Sequence, residues 1–257
     1  MIEISGLCAG YQGQPVLRDI SLTIRRGEFT GILGPNGSGK TTLIRALSGV
    51  LPSATGSIRI AGHDIRTLTP KARARQCATV AQKNPGLSGV RALSLVLMGR
   101  YPYISFLGGH TRADHDRAHA AMEETRSLHL SQRQAGSLSG GELQRVIMAK
   151  ALAQDTQLLL LDEAASNLDV ARTMDLYELL RARNASGLTV LTVAHDLNLA
   201  ALYCQRLVFL KNGSVTADGP TRDIFTAQTL SEIYETPLAV APHPVTGAPQ
   251  AYLVPRA

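Results

Sequence analysis

A glycine-rich segment at residues 34–42 constrains the fold of this chain more than any other stretch. It fits the pattern G-x-x-x-x-G-K-[ST] and reads Gly34-Pro35-Asn36-Gly37-Ser38-Gly39-Lys40-Thr41-Thr42. The apolar run 29–33 before it is typical of a buried strand, and residues 41–48 after it have helical periodicity. Glycines let backbone N–H groups turn inward around an anion, and a helix N-terminus is electropositive. We therefore predict nucleotide binding by all nine residues, with Lys40 reaching the β- and γ-phosphates and the Thr41 hydroxyl reaching Mg²⁺.

The composition is that of a folded protein with a moderate basic excess. The 257 residues suffice for one large domain, and a charged fraction of 18% argues against disorder. The net charge of +6 would suit nucleic acid, an anionic membrane surface or an anionic ligand. The basic residues are dispersed along the chain, so we do not expect nucleic acid to be the partner.

Neither a membrane-spanning segment nor a signal peptide is predicted. No apolar run approaches the roughly 18 residues of a spanning helix, and the first residues lack a basic region followed by an apolar stretch. Cys8, Cys77 and Cys204 have no paired spacing and are interpreted as small apolar side chains in a reducing compartment. These features predict a cytoplasmic location.

The order of the remaining patterns predicts an α/β chain with a helical insertion. Two alternating strands surround a turn at residues 10–15, and residues 158–161 and 189–194 are apolar runs typical of a parallel sheet. Residues 212–213 (Asn-Gly) predict a hairpin, a helix is predicted at 112–128, and 242–249 is predicted as a loop. We predict a single domain over 1–257, with a nucleotide-binding core at 1–83 and 139–257 and a helical subdomain at about 84–138.

Two further segments carry groups suited to phosphate chemistry. Asp162 and Glu163 follow the apolar run 158–161, so Asp162 would face bound Mg²⁺ and Glu163 would polarise an attacking water near the γ-phosphate. Ser139, Gly140 and Gly141 precede a predicted helix and would expose N–H groups as a second anion site. Alone, each pattern is also compatible with an ordinary strand end or helix start. Together with the glycine loop, they point to nucleotide hydrolysis.

Taken in order, these segments resemble the ATP-binding cassette family, the motor subunits of ABC transporters. The glycine loop is similar to the Walker A segment, and Asp162-Glu163 to Walker B and the catalytic carboxylate. Leu138-Ser139-Gly140-Gly141-Glu142 resembles the LSGGQ signature, with Glu142 at its variable last position. The resemblance covers nearly the whole chain and implies a P-loop NTPase (RecA-like) core with an N-terminal antiparallel β-subdomain and an inserted α-helical subdomain.

The resemblance also implies roles for four isolated residues. Gln82 lies where the family has its Q-loop glutamine, which would help hold Mg²⁺ and couple the site to the helical subdomain. Asp169 falls in a segment similar to the D-loop, and His195 matches the switch histidine that senses the γ-phosphate. Tyr11 is placed like the aromatic residue that stacks on adenine, with an ordinary turn tyrosine as the alternative.

The family resemblance further implies how such a chain works. Two copies associate head to tail, so that Lys40 and Thr41 of one copy hold ATP and Mg²⁺ while residues 139–141 of the other contact the γ-phosphate. The expected partners are transmembrane permease subunits and, indirectly, an external substrate-binding protein, with the chain peripheral at the cytoplasmic face of the inner membrane. One departure is that Ala164-Ala165 stand where the family usually has Pro-Thr, which puts the rigidity of that turn in doubt.

Weaker patterns narrow the predicted cargo. Met98-Gly99-Arg100-Tyr101-Pro102-Tyr103, the segment 192–200 and the ending at 253–256 are similar to those of ATPases that serve ferric-siderophore, haem and cobalamin importers. We therefore predict import of an iron chelate or cobalamin. The alternatives are an ABC ATPase for another cargo and a soluble ABC clamp acting on nucleic acid.

Overall fold

The computed structural model describes residues 1–53, 55–81, 89–105, 107–165 and 168–255. The strands are β1 (Ile2–Tyr11), β2 (Gln14–Ile24), β3 (Phe29–Leu33), β4 (Thr55–Ile60), β5 (His63–Asp64), β6 (Cys77–Val80), β7 (Leu158–Asp162), β8 (Thr189–Val193), β9 (Arg206–Lys211), β10 (Ser214–Pro220), β11 (Leu238–Pro242) and β12 (Pro249–Leu253). The helices are α1 (Lys40–Leu47), α2 (Pro70–Gln76), α3 (Ala92–Leu97), α4 (Arg112–Glu124), α5 (Gly140–Ala153), α6 (Val170–Ala185), α7 (Leu197–Tyr203), α8 (Thr221–Ile224) and α9 (Ala227–Tyr234). Among these helices none has the length and apolar character needed to cross a membrane.

The first of two compact units combines Met1–Arg66 with the chain from Thr189 onwards. One of its sheets is antiparallel, in the order β2-β1-β4-β5. In the other, β3 pairs in parallel with β8 on one side and β9 on the other, and β10 pairs antiparallel with β9. Every residue of β3 and β8 is buried, as expected for central strands of a parallel sheet. The carboxyl end of β3 therefore delivers the glycine-rich loop at the edge where α/β sheets bind ligands.

The second unit, Thr67–Leu188, contains a strand pair and a helical core. β6 and β7 pair in parallel, with Cys77 opposite Leu158 and Val80 opposite Leu161. Helices α3, α4 and α5 bury one apolar cluster, whose members include Leu95, Val96, Ala118, Met122, Val146 and Ala149. This cluster accounts for the helical patterns between residues 89 and 153. The boundaries assigned to the helical subdomain from the sequence stay a prediction.

A short 3-10 helix, Met98–Tyr103, follows α3 and is fixed by a buried arginine. Arg100 donates from Nε to Asp114 Oδ1 and from Nη1 to Ala153 O, both at 2.9 Å, and its guanidinium lies 4.0 Å from the ring centroid of Tyr103. The pKa of Asp114 is lowered to about 2, mainly by the hydrogen bond that its carboxylate accepts from the backbone N–H of Thr111. The hydrogen bond and positive charge of Arg100 lower the pKa further, whereas desolvation of the carboxylate opposes the shift. The segment that resembles the importer ATPases is therefore tied to both α4 and α5.

Three local expectations needed correction. The first turn is tighter than residues 10–15, because Gln12 and Gly13 both take positive φ (51° and 78°) and let β1 continue to Tyr11. Helix α4 ends at Glu124 rather than 128, where the Thr125 hydroxyl donates to Ala121 O and Arg126 turns to φ 52°.

The third correction concerns the segments on either side of the loop predicted at 242–249, for which the sequence predicts no strands. Strands β11 and β12 flank that loop as a hairpin. The hairpin is fixed to α7 by Asn198, whose Oδ1 accepts from Ala251 N at 2.7 Å and whose Nδ2 donates to Ala251 O at 3.1 Å. An amide side chain thus takes the place of a neighbouring strand.

The close approach at Gly99 predicts a large stability effect. A Cβ built at Gly99 would lie 2.2 Å from the carbonyl oxygen of Lys150, whereas a Cβ at Gly109 would have nothing within 4 Å. We expect Gly99→Ala to lower the free energy of unfolding by about 1–3 kcal/mol, and Gly109→Ala to change it by less than about 0.5 kcal/mol. Urea unfolding measures both, and equal midpoints for the two variants would contradict the packing described.

Candidate functional site

The phosphate-binding loop lies between β3 and α1, and its backbone passes too close to its neighbours for side chains. Gly34 has φ 140°, and a Cβ there would lie 1.9 Å from the carbonyl oxygen of Leu210 on β9. Gly39 has φ 103°, and a Cβ there would lie 2.7 Å from Leu17 Cδ2. The two glycines are therefore required by conformation and by space. Between them, Pro35 is half-buried and Asn36 and Gly37 are exposed.

The N-terminus of α1 is open to an anion. Its N-cap is Gly39, which offers no side-chain hydrogen bond to the first-turn N–H groups. Ser38 is 3% exposed, and its Oγ has no hydrogen-bond partner among the described residues. A phosphate oxygen at this helix end would lie at the positive end of the helix dipole and would give the Ser38 hydroxyl a partner. The loop therefore fits the group that the sequence predicts.

Lys40 brings a positive charge into the loop. Its Nζ donates to Gly34 O at 2.8 Å and to Pro35 O at 2.9 Å, and the residue is only 5% exposed. A buried ammonium is costly unless its hydrogens are bonded, and here backbone carbonyls of the loop accept them. The charge is thus held where a nucleotide's phosphates would enter. Thr41 beside it is half-buried and Thr42 is buried.

Tyr11 has the exposure and the partner of a base-stacking residue. It ends β1, is 40% exposed, and accepts a hydrogen bond at its hydroxyl from Arg45 Nη1 of α1 at 2.9 Å. The Arg45 guanidinium lies 6.0 Å from the ring centroid. The ring is thereby fixed beside the helix that starts in the phosphate loop, as stacking on a base requires.

Tyr234 supports the loop and was not identified from the sequence. Its hydroxyl accepts a hydrogen bond from Gly34 N at 3.1 Å, and burial raises its pKa to about 12. The phenol thus stays neutral and holds the first residue of the loop. Two hundred residues separate the partners, and no local motif surrounds Tyr234, so the sequence holds no signal for this contact.

His195 is exposed in the turn between β8 and α7. The next residue, Asp196, caps α7 by accepting from Leu199 N at 2.9 Å, so the turn that carries the imidazole is fixed by the helix start. The first unit therefore carries the loop, Tyr11 and His195.

The second unit carries the two predicted carboxylates. Asp162 is the last residue of β7 and is 4% exposed. Glu163 follows it, half-buried, with φ 54°. A non-glycine residue in the left-handed region costs about 1–2 kcal/mol, and such conformations concentrate at functional sites. Because of this conformation the backbone leaves the extended geometry of β7 at Glu163.

The second predicted anion site is a helix start held by a capping box. Ser139 caps α5, accepting at Oγ from Glu142 N at 3.3 Å, while Glu142 Oε2 accepts from Ser139 N at 2.8 Å. The hydrogen bond from the Ser139 backbone lowers the pKa of Glu142. Glu at the variable signature position is explained by this reciprocal cap, which Gln can also form. Gly140 is exposed and Gly141 is buried.

Asp169 caps α6, accepting at Oδ1 from Arg172 N at 2.9 Å. The same unit therefore brings together the D-loop-like turn and the signature-like segment on neighbouring helix starts. Gln82 and residues 166–167 lie outside the described residues, so the Q-loop assignment and the first part of the D-loop resemblance stay predictions.

Comparison of the sequence with known proteins finds relatives described as ABC transporter or import ATP-binding proteins. A family profile described as "ABC transporter" matches residues 17–166. The uncharacterized ABC transporter ATP-binding protein YvrA of Bacillus subtilis is 38% identical over 99% of this chain, which spans 58% of that relative's length. The hemin import ATP-binding protein HmuV of Nocardia farcinica is 40% identical (91% of this chain, 80% of the relative), and the cobalamin import ATP-binding protein BtuD of Halobacterium salinarum is 36% identical (96% and 62%).

Comparison with solved structures also finds ABC transporter chains. A chain of a metal-chelate type ABC transporter in an inward-facing conformation has a TM-score of 0.85 and 25% identity, covering 100% of this chain and 97% of that one. A bacterial ABC transporter cassette solved as a dimer has a TM-score of 0.77 and 26% identity, covering 86% of this chain and 99% of that one.

The Ser38 hydroxyl, for which the described residues offer no partner, predicts that thermal stability and ATP affinity respond separately to its removal. Ser38→Ala removes a buried polar group without a partner, so we expect unchanged or higher thermal stability together with a roughly tenfold loss of ATP affinity. Thr30 is the matched control, because its buried Oγ1 on β3 also has no partner within the described part of the chain. Thr30→Val should raise stability and leave ATP affinity unchanged. Calorimetric titration and thermal unfolding decide, and equal ATP affinity in wild type and Ser38→Ala would remove Ser38 from the site.

Proposed function

Because the chain belongs to the ABC transporter family, we propose that it is the ATP-hydrolysing subunit that powers import of an iron chelate, such as a ferric siderophore or haem, or of cobalamin. The sequence prediction of this family and of its P-loop cassette fold is confirmed. The observation that carries the proposal is the loop at residues 34–42, with two glycines pressed against their neighbours and the Lys40 ammonium enclosed.

Nucleotide binding is assigned to the first unit's residues. The N–H groups at the start of α1 and the Ser38 hydroxyl bind phosphate oxygens, Lys40 neutralises the β- and γ-phosphates, and Tyr11 stacks on the base. The Thr41 hydroxyl and Asp162 are of the oxygen type that Mg²⁺ prefers, with Gln82 as a further predicted ligand. Mg²⁺, when bound, would supply charge neutralisation at the transferred phosphoryl group.

Hydrolysis is assigned to Glu163 and His195. The Glu163 carboxylate would accept a proton from the water that attacks the γ-phosphorus, and its position just after the buried Asp162 keeps it at the end of β7. His195 would contact the γ-phosphate and so distinguish the triphosphate from the product. Both assignments rest on motif position and local geometry.

A second copy of the chain completes the proposed site. Residues 139–141 and Asp169 would face the nucleotide bound by the partner copy, as the head-to-tail arrangement of the family implies. The cassette dimer among the structural relatives supports association of two copies. ATP would then hold the copies together, and its cleavage would let them separate.

A permease would bind the second unit beside Met98–Tyr103, with the chain peripheral at the cytoplasmic face of the membrane. Tyr101 and Leu107 are 69% and 94% exposed. An open cavity of about 640 Å³ lies at the same place, lined by Lys71, Tyr101, Pro102, Ile104, Gly109 and His110. Apolar groups displayed on a segment fixed by buried Arg100 suit a protein partner. An external binding protein would deliver the cargo to that permease.

Another cargo is the first alternative, because cargo selectivity would lie in the permease and the binding protein. HmuV and BtuD, both named for metal-containing cargo, and the metal-chelate type transporter favour the present assignment. A soluble clamp on nucleic acid is the second alternative, and the dispersed basic residues disfavour it.

Removal of the proposed base should separate ATP binding from turnover. We expect Glu163→Gln to retain ATP affinity, to slow hydrolysis by about 10²–10⁴-fold and to accumulate an ATP-dependent dimer. Glu178→Gln, an exposed carboxylate change on α6, is the control. Phosphate release and size-exclusion chromatography with ATP give the readouts. Wild-type turnover by Glu163→Gln would contradict the role of this carboxylate.

The predicted cargo can be tested separately from the ATPase activity. The chain is co-purified with its permease, reconstituted in liposomes and assayed for ATP hydrolysis with the binding protein loaded with ferric siderophore, haem or cobalamin. We expect one of these three to stimulate hydrolysis. Stimulation only by an unrelated cargo would refute the import assignment while leaving the ATPase assignment intact.

A further inference from the structure

We propose that Arg172 is a positioning residue that joins the signature-like segment, residues 138–142, to the Asp169 turn, so that both approach the partner copy's nucleotide as one surface. The inference rests on the proposed function and deepens it. Nothing in the motif pattern points to Arg172, which lies outside every segment that the sequence singled out. It follows instead from two contacts of the Arg172 side chain.

The first contact is with Gly141. A Cβ built on Gly141 would lie 2.5 Å from Arg172 Nη1, 3.0 Å from Cδ and 3.1 Å from Cζ. The arginine side chain therefore lies directly against the backbone of the signature-like segment. A side chain at position 141 would require Arg172 to move, so the glycine there and the position of the arginine are linked.

The second contact is with Asp169. Arg172 Nε lies 3.4 Å from Asp169 Oδ2, while Asp169 Oδ1 accepts from Arg172 N at 2.9 Å. One carboxylate thus caps α6 and also orients the arginine that reaches α5. The start of α6 and the start of α5 are linked through a single side chain.

Helices α5 and α6 are separated by a cavity close to the contact between Arg172 and Gly141. A cavity of about 220 Å³ lies beside the contact, lined by α5 residues including Gly141, Arg145 and Met148 and by α6 residues including Arg172 and Leu176. At Gly141 the space between the two helices is crossed by Arg172. Truncation of Arg172 would extend the cavity to the backbone of the signature-like segment and let it shift.

Arg181 provides a matched control on the same helix. It also pairs with a carboxylate three residues earlier, Glu178, and both ion pairs are exposed. Exposed pairs of this kind contribute little to stability, so neither alanine variant should unfold the protein. The two variants differ in the contact with Gly141, which Arg172 makes.

The test compares Arg172→Ala, Arg172→Lys and Arg181→Ala in ATP hydrolysis. We expect Arg172→Ala to raise KM for ATP about tenfold with little change in kcat, because saturating ATP still closes the dimer. ADP affinity, which depends on the phosphate loop of the same chain, and the thermal midpoint should be unchanged. Arg172→Lys keeps an aliphatic stem and a cation and should restore a KM near wild type. Equal KM values for Arg172→Ala and Arg181→Ala would overturn the proposal, as would failure of Lys to restore KM.

A double-variant cycle tests the contact itself. The methyl group of Gly141→Ala would displace Arg172, so Arg172→Ala should add little to KM in the Gly141→Ala background, while independent effects would multiply and overturn the proposal. Dimer formation is measured in the Glu163→Gln background. If that parent does not dimerise with ATP, the proposed function fails. If it does, and adding Arg172→Ala leaves the ATP dependence unchanged, only the present inference fails.

Discussion

Binding an anion with backbone N–H groups requires a stretch of chain without side chains that is nevertheless fixed in place, and the rest of the first unit serves that requirement. Gly34 can approach Leu210 O only because it has no Cβ, and the position of Leu210 is set by the pairing of β9 with β3. Gly39 is held against Leu17 of β2 in the same way. The Tyr234 hydroxyl accepts the N–H of Gly34, so α9 also fixes the loop. Glycines give the loop a backbone that could adopt many conformations, but the contacts of Gly34 and Gly39 with neighbouring residues restrict it.

The helix starts differ in how their N–H groups are satisfied, and the difference is consistent with the roles proposed for them. Helix α1 has Gly39 as its N-cap and so has no side-chain cap, and the adjacent Ser38 hydroxyl has no partner within the described part of the chain. Helices α5 and α6 are capped by their own Ser139 and Asp169. A capped start keeps its shape without a ligand, which suits the proposed contact with a nucleotide held by a second copy. The uncapped start suits the site where the nucleotide binds first.

The sequence predicted those parts of the site that are encoded by residues near one another. The loop needs Gly34, Gly39 and Lys40 at fixed spacing between a strand and a helix, and β3 follows from an equally local pattern. Tyr234 and the hairpin fixed by Asn198 depend on contacts between residues 50 to 200 positions apart, and no local pattern records them. The left-handed φ of Glu163 was also missed, because glutamate gives no sign that the backbone turns there. Gln82 remains a prediction from motif order alone.

Ala164 and Ala165 directly follow Glu163, the residue with the left-handed backbone. A proline at 164 would fix its own φ and would push the preceding residue, Glu163, toward extended backbone. With alanine at 164, Glu163 is free of that push and adopts φ 54°, a left-handed conformation that costs about 1–2 kcal/mol. The residues on either side are buried, since Ala164 is 7% exposed and all of β7 before the turn is buried. Because Ala164 is buried and Ala165 is half-buried, we expect a larger or polar side chain at 164 to disturb this turn more than one at 165.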